Sequence, residues 1–236
     1  MKKRKEKSKK VYVIPEPRDK FTPVKHRLKW LPKKNINAII VGRSGAGKTF
    51  LLRHIIPGIK HVTDIILLGR NFNPTHEEIK KYAEKFGISF HRSDNPNEGR
   101  KIIEDVVNDS KYMENVILLI FDDFYERSRI DPFSILVNQS YSQLRNQHVF
   151  MISIAQDYKM FDTVVRQNCN LKITFQQGNK HSVFSFKNDM ADDDLRNTFS
   201  SLYNNLKYTH GFIVYNSENN SIWKYDENDD GPVRVF

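Results

Sequence analysis

Ala38-Ile39-Ile40-Val41-Gly42-Arg43-Ser44-Gly45-Ala46-Gly47-Lys48-Thr49 reads as a short apolar run, a glycine-rich turn and the opening of a helix. The spacing Gly42-x4-Gly47-Lys48-Thr49 is that of a phosphate-binding loop. Both flanks suit it: a buried strand precedes it, and an apolar-periodic segment, Lys48 to Ile56, follows. Glycines let backbone N–H groups turn inward around phosphates without Cβ clashes. The start of the helix adds partial positive charge at the same place. The nucleotide-binding set expected from this stretch is Gly42, Arg43, Ser44, Gly45, Ala46, Gly47, Lys48, Thr49 and Phe50. Within it, Lys48 is expected to reach the β- and γ-phosphates of ATP, and Thr49 to ligate Mg²⁺.

Working outward, four more apolar runs follow: Ile65 to Leu68, Val116 to Phe121, Val149 to Ile154 and Leu171 to Phe175. Runs without alternation fit strands buried on both faces, the signature of a parallel sheet. Helix-like segments lie between them, at His76 to Phe86, Gly99 to Asn108 and Pro132 to Asn146. That order predicts an α/β fold, a P-loop NTPase with a central, mostly parallel sheet flanked by helices. Asp192 to Leu206 reads as a further helix. Gly211 to Tyr215 and Ser221 to Tyr225 read as a hairpin across a five-residue polar connection, Asn216 to Asn220. Residues 1–35 are expected to form a basic, proline-containing arm, with Trp30 and Leu31 as its anchor. Residues 36–236 are expected to form the ATPase domain with a C-terminal helix and hairpin extension. The end, Glu227 to Gly231, is expected to be loose.

The run Val116 to Phe121 ends in Asp122-Asp123. Strand ends at the carboxyl edge of a parallel sheet are where ligands bind. Asp122 is therefore expected in the magnesium shell, and Asp123 beside the γ-phosphate, where a second carboxylate can polarise the attacking water. The next run ends in Ala155-Gln156-Asp157. Gln156 could hydrogen-bond the γ-phosphate or the water, or be a surface amide. Arg145 and Arg166 are candidates to stabilise charge in phosphoryl transfer; spacing alone does not choose between them.

Charge and composition limit the partners. Seven of the first ten residues are Lys or Arg against one Glu, so this segment holds +6 of the chain's net +10. Such an arm can bind nucleic-acid phosphates by counterion release; a solubilising tail or a nuclear-import signal has the same composition. No run approaches the ~18 apolar residues of a membrane span, and no apolar region follows the basic start as a secretory signal would require. The single cysteine, Cys169, suits a reducing compartment.

These residues resemble a known family. Ile39 to Thr49, Leu118 to Asp123 and Ala155-Gln156-Asp157-Tyr158 are similar to the motifs of the genome-packaging ATPases of large DNA viruses, the poxvirus-type branch of the FtsK–HerA superfamily. The similarity covers roughly residues 36 to 176. Arg145 lies eleven residues before Gln156, where the family has an arginine in a Gly-Arg-His string; here Leu144 and Asn146 flank it. Arg166 lies ten after Gln156 and, with Asn168, resembles the family's Arg-x-Asn string. The resemblance implies that Gln156 is a γ-phosphate sensor, that Arg145 is the first candidate for an arginine finger acting between subunits, and that Arg166 is the second. It also implies an ATPase that moves double-stranded viral DNA into capsids as a homo-oligomeric ring. Its partners would be DNA and capsid or portal-vertex proteins, and it would work in the virion or at a host-cell assembly site, a cytoplasmic virus factory or the nucleus. Two other classes share the loop: a small-molecule or nucleotide kinase, and a non-catalytic DNA-binding virion protein. No compact Arg-rich lid segment is evident for the first, and the intact Lys48, Thr49, Asp122 and Asp123 count against the second.

Overall fold

Ala38 and Ile40 join one apolar core while Ile39 and Val41 join another, so a single five-residue strand is buried on both sides. This is β1 (Asn37–Val41), and in the computed structural model it lies inside a nine-stranded sheet. The structure describes residues 28–32, 35–109, 116–123, 131–144, 147–206, 210–225 and 233–235. A fully buried aliphatic side chain contributes roughly 1.5–3 kcal/mol. Fixing one residue's backbone costs about 1–2 kcal/mol. Three such residues in a row, Ile39 to Val41, more than offset that cost at their own positions and hold β1.

The elements follow in the order α1 (Lys48–Ile55), β2 (Val62–Gly69), α2 (Pro74–Phe86), β3 (Ser89–Ser93), α3 (Pro96–Asp109), β4 (Val116–Asp122), α4 (Pro132–Gln143), β5 (Val149–Ala155), α5 (Thr163–Asn168), β6 (Leu171–Phe175), α6 (Lys180–Asn188), α7 (Asp193–Asn204), β7 (Phe212–Asn216), β8 (Ser221–Tyr225) and β9 (Val233–Arg234). The strand order is β3-β2-β4-β5-β1-β6-β7-β8-β9. Pairings from β3 through β6 are parallel, and those from β6 to β9 are antiparallel. Buried residues of α1 and α2 pack on one face, with Trp30 and Leu31; those of α3, α4, α5, α6 and α7 pack on the other. The mostly parallel α/β sheet expected from the apolar runs is thus present, and all five runs are strands. Among the described residues no helix is long and apolar enough to cross a membrane.

Three features add to the sequence-based expectation or differ from it. The expected hairpin is present, and β7 pairs with β6 from Leu171↔Asn216 to Phe175↔Phe212, so it extends the central sheet. Its alternate residues show why, since Phe212 and Val214 fill one core and Ile213 and Tyr215 the other. Its connection is four residues, 217–220, because Asn216 pairs with Ser221. Strand β3, Ser-Phe-His-Arg-Ser, has no apolar run and exists through its pairing with β2 at the sheet's edge. A polar edge strand of this kind resists pairing with other chains. Trp30 and Leu31 are buried as expected, and Asn216 donates its side-chain amide to the Trp30 carbonyl at 3.0 Å. Residues 1–27, which hold most of the expected arm, lie outside the described residues, as does the stretch from Glu227 to Gly231.

Candidate nucleotide site

The loop between β1 and α1 turns through Gly45 (φ 76°) and Gly47 (φ 92°), both in the left-handed region that glycine adopts without Cβ strain. Gly47 is the N-cap of α1, so the helix has no side-chain cap, and no acidic residue stands in its first turn. Helices α2, α4, α6 and α7 are each capped by an Asn or Asp side chain. The first N–H groups of α1 therefore have no side-chain cap, and the helix dipole there favours an anion. Lys48 is 6% exposed, and its Nζ donates to the Arg43 carbonyl at 3.1 Å, across the mouth of the loop. Burial pulls its ammonium below the usual lysine range, while the Asp123 and Asp122 charges oppose that pull.

Strand β4 delivers Asp122 to the same place. Thr49 Oγ1 donates to Asp122 Oδ2 at 2.9 Å, joining the helix start to the strand end. Asp122 is 2% exposed, and its second oxygen, Oδ1, is buried with no hydrogen-bond partner. A buried carboxylate oxygen left so is costly unless something binds it. The donor set, a hydroxyl, a carboxylate and phosphate oxygens to come, suits magnesium, which takes one or two carboxylates together with substrate phosphates. Among the described residues no cluster of three or more His, Cys, Asp or Glu could hold a metal without them.

Asp123 has φ 49°, unusual for a residue with a side chain, and its N–H donates to the Ile154 carbonyl at 3.2 Å. Backbone strain of this kind concentrates at functional sites. Partial burial, then the neighbouring Asp122 charge, push its carboxyl above the usual carboxylate range; Lys48 and His76 pull the other way. Gln156 is exposed directly beyond β5. Gly42 N–H donates to the Ala155 carbonyl at 3.3 Å, so Gln156 follows a strand end held between the phosphate loop and Asp123.

Arg166 is engaged within its own chain. Its Nη1 bonds Asp189 Oδ2 at 3.1 Å, its Nη2 bonds Thr163 Oγ1 at 3.2 Å, and its guanidinium lies 5.5 Å over the Tyr158 ring. Tyr158 donates its hydroxyl to the same Asp189 oxygen at 2.7 Å. Arg145 lies outside the described residues.

Several residues at the site carry no motif. His76 Nε2 stands 2.8 Å from Asp122 Oδ2. Gln176 Oε1 accepts from the phosphate loop's Arg43 at 2.9 Å, and Gln176 in turn donates to the Leu206 carbonyl at 2.7 Å. His210 Nδ1 lies 3.3 Å from the Ala46 carbonyl. Gly69 is the register partner of Asp122, and a Cβ there would stand 2.9 Å from the Asp122 carbonyl oxygen. Gly69→Ala should therefore displace the end of β4 and lower stability by about 1–3 kcal/mol. Thermal unfolding of the variant checks this, and an unchanged midpoint would mean that the strand ends separate freely.

No family model matches the sequence, and no curated protein matches it. Solved structures do resemble the fold. The genome packaging NTPase B204 from Sulfolobus turreted icosahedral virus 2, in complex with ATP-gammaS, superposes with a TM-score of 0.60 at 17% identity, over 83% of this chain and 98% of that one. Its sulfate complex gives 0.58 at 18% identity, over 82% and 96%. B204 from Sulfolobus turreted icosahedral virus, described as a DNA-packaging ATPase, gives 0.56 at 16% identity, over 81% and 98%. At such identities the likeness establishes a shared fold, that of a P-loop NTPase with a mostly parallel sheet.

Proposed function

We propose that this chain is an ATP-hydrolysing motor that moves double-stranded viral DNA into capsids as a ring of identical subunits. The observation that carries the ATPase reading is the meeting of an uncapped helix start with a buried carboxylate that has one oxygen spare, bridged by Thr49. In this reading Gly42 to Phe50 bind the triphosphate through backbone N–H groups, and Lys48 matches the charge of its β- and γ-phosphates. Thr49 and Asp122 hold magnesium, whose chemistry is to neutralise charge that builds on the phosphoryl oxygens. Asp123 accepts a hydrogen bond from the attacking water and orients it, and Gln156 contacts the γ-phosphate. Arg145 is the leading candidate for a finger reaching a neighbouring subunit's nucleotide; Arg166 would have to leave Asp189 to do so.

The packaging part of the reading draws on the motif resemblance and on the similar fold of the B204 NTPases, whose function is genome packaging. The basic first ten residues supply charge for a phosphate backbone without reading its sequence. Capsid or portal-vertex proteins are the further partners, at a virion or assembly site.

Phosphate release from the purified full-length chain, with and without duplex DNA, tests the reading. Stimulation by DNA is expected. Turnover that responds only to a small phosphoryl acceptor would replace the motor with a kinase, and no turnover would leave a non-catalytic protein. Mixing Arg145→Ala with Lys48→Ala subunits should restore part of the activity, since each supplies what the other lacks. Mixtures that stay inactive would remove Arg145 as a finger in trans.

A further inference from the structure

His76 occupies a position that no nucleotide-binding motif marks. It is the third residue of α2 and is 1% exposed. Asn73 caps that helix, its Oδ1 accepting from Thr75 N at 3.0 Å and from His76 N at 3.3 Å. The reciprocal bond runs from the Asn73 backbone N–H to His76 Nδ1 at 3.2 Å. Accepting that bond leaves Nδ1 without a proton, so Nε2 carries the N–H and donates to Asp122 Oδ2 at 2.8 Å. The imidazole is fixed further by Phe72, whose ring meets it edge-on at 5.7 Å.

We propose that His76 is a positioning residue that holds the Asp122 carboxylate with Oδ2 fully used and Oδ1 turned toward the metal shell. Oδ2 accepts from both Thr49 Oγ1 and His76 Nε2, while Oδ1 is buried and unpartnered. Two donors on one oxygen leave the carboxylate little freedom to rotate. Helix capping alone does not need a histidine. Glu or Gln at this position closes the same box, and Glu would set a second carboxylate against Asp122. An imidazole offers an acceptor to the helix cap on one side and a donor to the carboxylate on the other. Metal sites commonly orient their ligands through such outer partners, and losing one typically costs 10–100-fold in metal affinity. The inference rests on the reading of this site as one for magnesium and a nucleoside triphosphate.

Two substitutions separate the roles of the two nitrogens. His76→Asn keeps an acceptor at the Nδ1 position and cannot reach Asp122. His76→Gln carries an N–H₂ at the reach of Nε2. The measurement is the affinity of the full-length chain for a non-hydrolysable ATP analogue, in EDTA and in Mg²⁺. In His76→Asn the tightening produced by Mg²⁺ should fall at least about tenfold, with affinity in EDTA unchanged, whereas His76→Gln should retain most of it. A full magnesium effect in His76→Asn overturns the proposal. So does an equal loss in both variants accompanied by equal loss of affinity in EDTA, which marks a structural role. A wild-type chain that binds no analogue in either condition overturns the nucleotide reading itself. Should His76→Asn not fold, ¹⁵N spectra of the wild-type ring decide. A protonated Nε2 that shifts when Mg²⁺ joins the analogue supports the role, and a protonated Nδ1 or an unmoved Nε2 removes it.

Discussion

Lys48→Ala is expected to reduce phosphate release from ATP to background, a fall of at least ~10³-fold, while leaving the fold intact. The side chain is 6% exposed and reaches the Arg43 carbonyl, so its charge is held at the loop, where the proposed reading puts the terminal phosphates. Desolvated donors aimed at developing charge are worth about 10²–10³ in rate for a single hydrogen bond, and a full positive charge exceeds that. Its loss also removes the loop cation whose charge acts on Asp122 and Asp123. Lys48→Arg should fail nearly as badly. The planar guanidinium is bulkier than the ammonium and presents its donors in a different geometry, at a position only 6% exposed. Circular dichroism and the thermal midpoint serve as controls, because Lys48 makes a polar contact and is not part of either apolar core. Residual turnover within tenfold of the unaltered chain would show that the phosphates are held elsewhere.

The phosphate loop is legible in the sequence because its chemistry demands contiguous residues. Strand, glycines, lysine and threonine must follow one another for backbone N–H groups to converge. Asp122 is legible for a similar reason, since a doubly buried strand is an unbroken apolar run and its first polar residue marks the edge of the sheet. The rest of the site comes from long-range pairing. His76 and Asp122 are 46 positions apart, and Arg43 and Gln176 are 133 apart. These pairs meet because β2 neighbours β4 and β6 neighbours β1, an order that periodicity does not encode. Gly69 is silent for the same reason: it is a glycine at a strand end until its register partner is known. Strand β3 is hidden by its polar composition, and the hairpin's docking by the fact that an antiparallel strand buried on both faces reads like an isolated one. His76 did leave a local trace. Asn73-Pro74-Thr75-His76 has the cap-and-third-residue spacing of a capping box, with histidine where Glu or Gln is usual.

Asp123→Asn should separate catalysis from binding. The backbone at Asp123 has φ 49°, and Asn tolerates that region as Asp does, so the exchange adds no strain. Ala would add it, since left-handed backbone costs roughly 1–2 kcal/mol for a residue without a short polar side chain. Ala would therefore mix a folding effect into the kinetics. The main chain stays tied to β5 through the Ile154 carbonyl, so the amide should occupy the place of the carboxylate. What disappears is a charge able to polarise water, and general-base assistance is worth about 10²–10⁴-fold. Turnover should fall by that amount. Affinity for a non-hydrolysable ATP analogue in Mg²⁺ should hold or improve, because one negative charge near the triphosphate is gone. Asp122→Asn should do the opposite, weakening the magnesium-dependent part of binding, since its carboxylate is bonded to Thr49 and its second oxygen is buried without a hydrogen-bond partner. The two adjacent aspartates thus predict opposite signs for binding. If Asp123→Asn loses analogue binding in step with turnover, its carboxylate is a ligand of the metal shell and the water must be oriented by another group, with Gln156, at the end of neighbouring β5, the next candidate.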